Sequence, residues 1–455
     1  MLAPPDAPAE LVAAFDRRVP RHGHSLGLMV LHLKSVLSCA VGFRGAAAML
    51  AVASELFPTD ERAPSPNGGQ MWLLRLGLHE LSRPKEQADD WVWIIDHTIQ
   101  TGSAKCLTVV GVRLSAWEAK RADPEAEATL EHRDLSVWMI EPVEKSDGPT
   151  VQRQLTELSQ RTGVEPCQIL NDCGADLRKG VAGFLVEHTS TTATNDISHA
   201  VANAVKRELN HDPQWAAFMF DASLAKAKMR QTKFAFLLPP ELKAKARWMN
   251  LDPLLIWSRK ILGFLAQPRP VPGASWEASE LEEKLGWIRQ HQTPLAAWSE
   301  MLKVAAASLK YIRAHGYHAD ARPELAAVLA TFIGQTRDGQ ETPASRMAAR
   351  VLEFVEQQSS GLPVGRRLLG SSEIIESLIG KAKQLEGQQS KSGFTKMVLG
   401  LAASVCQVTE QRVREALEAV PVRQVTTWVK DQLGTSIQGQ RHHAFATLPP
   451  GIKPA

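Results

Sequence analysis

Between Trp91 and Asn195 the hydrophobic period of the sequence changes in an order that few architectures satisfy. Three runs rich in Val, Ile and Trp come first: WVWIIDHT over Trp91–Thr98, KCLTVVGVRL over Lys105–Leu114 and DLSVWMIEPV over Asp134–Val143. Charged or turn-like stretches separate them, so they read as an antiparallel meander. The pattern then alternates. Thr150–Thr162 sets Val151, Leu155 and Leu158 on one helical face, Cys167–Asn171 is a short apolar strand, and Leu177–Val186 is helical again. A polar extended piece, Thr189–Asn195, precedes Asp196–Leu209, where Ile197, Val201, Val205 and Leu209 form a stripe. A meander followed by strand and helix in alternation implies an α/β fold with parallel crossovers.

The flanks are helical, and no fixed-period repeat is present. Residues 1–88 carry an Ala-rich helix, Arg44–Leu56, and a second over Met71–Leu81, which Ser65-Pro66 opens as N-cap and first turn. Residues 89–210 hold the strand-rich part. Residues 211–365 offer no strand beyond Phe234–Leu238 and contain Trp248, Trp257, Trp276, Trp287 and Trp298 among helical patterns, so they read as an all-helical insertion with core tryptophans. A strong helix, Ser371–Leu385, follows within residues 366–392. Residues 393–455 give C-terminal helices from Phe394 to Leu433, after a Gly/Gln/Ser linker, and a polar tail past Gly434 read as mobile. A chain of 455 residues with 44% apolar content can bury several such interiors.

A net charge of +3 excludes a generically polycationic nucleic-acid coat and leaves room for local basic faces. The five cysteines are odd in number and form no C-x-x-C pair, which indicates neither a disulfide framework nor a zinc site and fits a reducing cytoplasm. The apolar stretch Ser25–Val41 contains His32 and Lys34 and reads as a buried helix, so no membrane association is expected.

Three segments carry acids suited to metal chemistry. Asp96 sits inside an apolar strand, where an unpartnered carboxylate is costly to bury, and a functional role explains it better than a structural one. Asp172, in N-D-C-G, is as readily a turn residue as a ligand, with Asp176 as competing cap and competing ligand. Glu373 and Glu376 share a helix face at i, i+3; Glu376 is preferred because a capping or dipole role in the first turn accounts for Glu373. Hard oxygen donors brought together from distant segments are what two Mg²⁺ ions require for phosphodiester chemistry.

WIIDHTIQTG, ILNDCGADLRKGV and SSEIIESLIGKAK resemble the three acidic motifs of DDE-type bacterial insertion-sequence transposases, with a helical insertion between the second Asp and the Glu as in hAT and related enzymes. The likeness covers about 90–210 and 365–390; Ser372 stands four residues before Glu376, where the family commonly carries Tyr or Arg. The resemblance implies an RNase H-like mixed sheet core, helical at both ends. It implies Asp96, Asp172 and Glu376 as catalytic metal ligands (Glu373 the alternative third) and two Mg²⁺ ions, with Mn²⁺ able to substitute. Double-stranded DNA, as transposon ends and target, is the implied substrate, with end cleavage followed by joining of the 3′-OH. Paired ends call for a homodimer or larger assembly in a nucleoid-associated cytoplasmic setting. Lys381, Lys383, Arg366 and Arg367 are expected near phosphates, with solvated lysines as the plain alternative for the first two. Gln70 and Arg75 are expected to read bases from a helix-turn-helix-like N-terminal pair, against plain helical packing. Asp196 is expected as an N-cap, with His199 as an auxiliary site group. Two rivals are a non-catalytic DNA-binding derivative of a transposase and an RNase H-like nuclease without strand transfer.

Overall fold

Helices Leu26–Leu37 (α1), Phe43–Leu56 (α2) and Pro66–Ser82 (α3) lead into strands Trp91–Thr101 (β1) and Ala104–Arg113 (β2). Helix Leu114–Ala122 (α4), strand Leu135–Val143 (β3), helix Gly148–Thr162 (α5), strand Gln168–Asn171 (β4), helix Ala175–Leu185 (α6) and strand Thr192–Asn195 (β5) follow. Then come helices Ile197–Asn210 (α7), Pro213–Met229 (α8), Asp252–Ala266 (α9), Ala278–Leu285 (α10), Gln292–His315 (α11), Ala321–Ala330 (α12) and Pro343–Ser359 (α13). Glu373–Gly387 (α14), Leu399–Ala403 (α15), Glu410–Ala419 (α16), Val422–Leu433 (α17) and Ile437–Ala446 (α18) complete the chain. The computed structural model describes residues 17–56, 61–101, 104–123, 129–241, 248, 251–333, 341–387, 395–435 and 437–446. The expected Gly/Gln/Ser linker and the start of the C-terminal helices at Phe394 lie outside them in part, as does the end of the tail. Within the tail a helix forms over Ile437–Ala446.

The chain divides into two compact units, residues 1–193 with 372–455, and residues 194–371. In the first unit five strands form one mixed sheet in the order β3-β2-β1-β4-β5, and the chain leaves the unit within β5. β1 pairs antiparallel with β2, and β2 with β3, which is the expected meander. β1 pairs parallel with β4, from Val92 opposite Gln168 to Ile95 opposite Asn171. Trp91, Trp93, Ile95, Leu107, Val109 and Ile169 share one apolar core with Val151, Leu155 and Leu158 of α5 and Leu177, Val181 and Phe184 of α6. Side chains alternate along a strand, so Val92, Ile94 and Asp96 face the other way, as does Leu170. A register shift in β3 puts Trp138 beside Met139 in the same core, with the indole lying over Gly111. A Cβ at Gly111 would come within 2.1 Å of Trp138 Nε1, so the strand carries a glycine there.

The other core of this unit joins the two ends of the chain. Leu26, Met29 and Leu33 of α1 and Trp72, Leu73, Leu74 and Leu76 of α3 pack with Leu385, Met397, Leu399, Val413 and Leu417. Gly77 lets α3 approach α15 so closely that a Cβ there would lie 2.1 Å from Leu399 O. α3 is buried along most of its length, at Gly69, Trp72 to Leu78 and Glu80. This burial takes in Arg75, one of the two residues expected to read bases, while Gln70 is half-buried.

The second unit is helical among its described residues. Where the sequence offers a strand over Phe234–Leu238, the chain makes a 3₁₀ turn, Ala235–Leu237, whose Leu237 carbonyl accepts from Trp257 Nε1 at 3.0 Å. Trp298 is buried, and Trp248, Trp257, Trp276 and Trp287 pack against the same core. Val201, Val205 and Leu209 of α7 belong to that core, so α7 lies with the helical unit. Glu208 of α7 is buried between Arg346, at 2.6 Å, and Arg350 of α13. Burial works against its ionisation, but the two guanidinium groups outweigh it and hold the carboxyl below its ordinary value of 4.5. A depressed carboxyl contributes stability that is complete above the unfolded value and vanishes as pH falls through the folded one. Denaturant unfolding is therefore expected to lose more stability from neutral pH to below 4.5 in the native protein than in Glu208→Gln. Equal losses in the two proteins would contradict this.

Candidate functional site

Asp96 and Asp172 occupy equivalent places on adjacent strands. Ile95 and Asn171 form the last pair of the parallel β1–β4 ladder; Asp96 follows within β1, and Asp172 follows just past the end of β4. Both are half-buried. Asp96 lies opposite Thr108 of β2, and the β1–β2 register shifts just beyond it, between His97 and Ile99. Bulges of this kind re-aim strand ends and recur beside active sites. The Asp96 carboxylate accepts from the His97 backbone N–H at 2.6 Å.

The turn that carries Asp172 is fixed by two side-chain contacts in succession. Cys173 N–H donates to Asn171 Oδ1 at 3.0 Å, and Gly174 N–H donates to Asp172 Oδ1 at 2.8 Å. Cys173 between them has φ 68°, a left-handed conformation that costs a residue with a Cβ roughly 1 kcal/mol. The two Asx contacts over-determine the turn and hold this strain, which orients Asp172 beyond the strand end.

Glu373 and Glu376 both lie in the first turn of α14, and both are half-buried. α14 buries Ile375, Leu378, Ile379, Ala382 and Leu385 and packs on β1. Its Glu386 bears electrostatically on Cys106, whose position in β2 alternates with core-facing Leu107, so the helix covers the sheet face that also carries Asp96. At about 100° per residue, Glu376 borders the buried stripe of the helix while Glu373 lies nearly opposite it. Asp96, Asp172 and Glu376 do not bring ligand atoms all within 4.8 Å of one another among the described residues.

On the opposite face of the same strand end lies a group of which sequence reasoning singled out only Asp176. Lys105 Nζ donates to Asp176 Oδ2 at 2.6 Å, His97 Nδ1 lies 3.8 Å from the same oxygen, and His97 Nε2 is 3.0 Å from Ser146 Oγ. Burial resists ionisation of Asp176, but the Lys105 contact and the charges of His97 and Lys105 hold it below its ordinary value. Asp176 is thereby committed to Lys105, which argues against it as the competing ligand. Burial pushes His97 below its ordinary 6.5, with Asp176 and Asp172 opposing and Lys105 assisting. The four residues lie in four separate segments, β1, β2, the loop after β3 and the first turn of α6, and only the folded sheet and its helix bring them together.

The remaining expected site residues are dispersed. Arg75 is 6% exposed, and its guanidinium donates to the carbonyls of Val420, at 2.5 Å, and Leu417. It braces the end of α16 and cannot read bases. Gln70 is half-buried, with its amide 3.4 Å from Met397 Sδ. Lys381 is half-buried, and its ammonium bears on His132, while Lys383 is exposed. In the second unit Arg367 donates to His315 O at 2.9 Å, and Arg366 is half-buried. Asp196 is the N-cap of α7, and its carboxylate takes both the backbone N–H and Nδ1 of His199 at 2.9 Å. The second unit also holds His318, Asp320 and Glu324 with ligand atoms within 4.8 Å of one another. There the Tyr311 hydroxyl already joins Glu324 Oε2, at 2.6 Å, to His318 Nε2, at 3.1 Å.

No helix among the described residues is long and apolar enough to cross a membrane. No protein-family model matches the chain, and no curated protein matches it.

Proposed function

We propose that the chain is a DDE-type DNA transposase with an RNase H-like core, which cleaves transposon ends and joins the freed 3′-OH to target DNA. One observation carries the reading: two carboxylates follow directly after paired residues on adjacent parallel strands, at the centre of a sheet ordered 3-2-1-4-5. Strand ends at such a crossover are where α/β sheets gather reacting groups. The helical unit interposed between Asp172 and the α14 glutamates supports a transposase over a simple nuclease, which needs no platform for paired DNA ends.

The donor set fits Mg²⁺ in its chemistry, since Asp96 and Asp172 offer hard carboxylate oxygens just past the last pair of the β1–β4 ladder and the first turn of α14 offers Glu376. When bound, a pair of Mg²⁺ ions supplies charge neutralisation at the scissile phosphate and activation of the attacking oxygen. Asp96 and Asp172 are the first two ligands in this reading and Glu376 the third. The Asn171–Gly174 turn keeps Asp172 aimed, and Lys105 is held by Asp176. The rival reading as a non-catalytic DNA-binding derivative rests on the N-terminal helix pair, in which Arg75 is buried within α3.

Purified protein is to be incubated with labelled duplexes from the flanks of its own gene, with Mg²⁺ or with EDTA. Metal-dependent nicking at a fixed position followed by joined products is expected. Metal-dependent cleavage without joining would favour the nuclease rival, and binding without cleavage in either condition would overturn the enzyme reading.

A further inference from the structure

A cavity of about 720 Å³ opens at the β3 edge of the first unit, between the end of α3, strand β3 and helix α17. Its character is split. Leu78, Leu81, Met139 and Ile140 give it an apolar wall, and Trp428 of α17 lines it while half-buried. At its cationic end stand Arg83, Lys85 and Arg161. Arg83 is paired with Glu80 at 2.7 Å. Lys85 Nζ has one contact, to the Glu80 carbonyl, at 2.7 Å. Among the described residues Arg161 has no carboxylate within ion-pair distance, and neither has Lys85. Of the three cations only Arg83 has a carboxylate partner among the described residues, and gathering them costs free energy that a bound anion would offset.

α17 closes the cavity loosely. It buries Val425 alone, although Trp428 and Val429 also touch the helical core. A large indole left half-buried beside a vacant apolar wall suits stacking on a flat ring, and the adjacent cations suit a phosphate. The volume exceeds that needed for a bare anion and lies within the range of small-molecule sites.

We propose that this cavity binds a nucleotide unit, with its phosphate at Lys85, Arg161 and Arg83 and its base against Trp428. The inference does not depend on the proposed transposase activity, since none of the acids at the β1 and β4 ends lines the cavity. The unit is either a free nucleotide or the phosphorylated end of a strand.

Burial brings Lys85 down to about 8, with Arg83 and Arg161 assisting and Glu80 opposing. A phosphate would raise it again, so affinity should fall as pH rises past 8. Glu141 and Asp431 are the other charged groups lining the cavity.

The test measures binding to the full chain by Trp fluorescence and calorimetry. The probes are adenosine monophosphate, adenosine, inorganic phosphate and a 5′-phosphorylated single-stranded oligonucleotide. The expected result is that the monophosphate binds roughly tenfold or more tighter than adenosine or phosphate alone. Lys85→Met and Arg161→Gln should each weaken it about fivefold to tenfold, and Lys85→Met should abolish the loss above pH 8. Arg161 is exposed, so its variant keeps the test valid should Lys85→Met fail to fold. A tighter oligonucleotide identifies a strand end as the ligand, and a tighter monophosphate identifies a free nucleotide. Absence of binding by both, or affinities unchanged in both variants, overturns the proposal.

Discussion

Asp96→Asn is expected to lower Mg²⁺-dependent cleavage of end-containing DNA by about a thousandfold or more while leaving DNA affinity within about twofold of native. The amide keeps an oxygen to accept the His97 backbone N–H, and the residue is half-buried at a strand end, so folding should not suffer. Asp172→Asn should behave alike, since the Asx contact to Gly174 survives the change. The two substitutions together should cost little more than either alone, as expected when both residues hold the same metal ions. Full activity in Asp96→Asn would remove that strand end from the chemistry.

Arg75→Met is expected to destabilise the first unit by roughly 3 kcal/mol. The native guanidinium satisfies the buried carbonyls of Val420 and Leu417 and lies 3.2 Å from Nε2 of half-buried His22. Methionine fills much of the volume but leaves those acceptors unpaired. A lowered thermal midpoint with unchanged DNA affinity of the folded protein is the predicted outcome. Weakened DNA binding with undiminished stability would instead restore the base-reading role that the burial of Arg75 contradicts.

How far the sequence could be read follows from which interactions are local. The meander and crossovers were legible because β-branched and aromatic runs alternate with amphipathic helices, and tertiary packing did not override those preferences. Asp96 was legible as an oddity, since a carboxylate within WVWIID must be compensated by something. The Asn171–Gly174 turn announced itself as N-D-C-G, but the positive φ at Cys173 did not, because that choice belongs to the turn as a whole. The cluster of His97, Lys105, Ser146 and Asp176 was hidden. It exists only once strand register sets Lys105 beside the first turn of α6, and no spacing in the sequence encodes that meeting.

Arg75 was misread for a different reason. MWLLRLGLHEL over residues 71–81 is apolar almost all round, which marks a buried helix and not a recognition helix with a solvent face. Cap and first-turn signals at Ser65-Pro66 located its start correctly, and the helix begins at Pro66. Those signals say nothing about what encloses it. The 3₁₀ turn at Ala235–Leu237 is a similar case, where a short apolar run fits a strand by composition and is shaped by its neighbours instead.

The most direct test of the account is an anomalous-diffraction map from crystals soaked in Mn²⁺. Two peaks about 3.5–4 Å apart between the carboxylates of Asp96 and Asp172 are predicted, both lost in Asp96→Asn. Peaks confined to the His318, Asp320 and Glu324 group, or none beside Asp96 and Asp172 at saturating Mn²⁺, would contradict it.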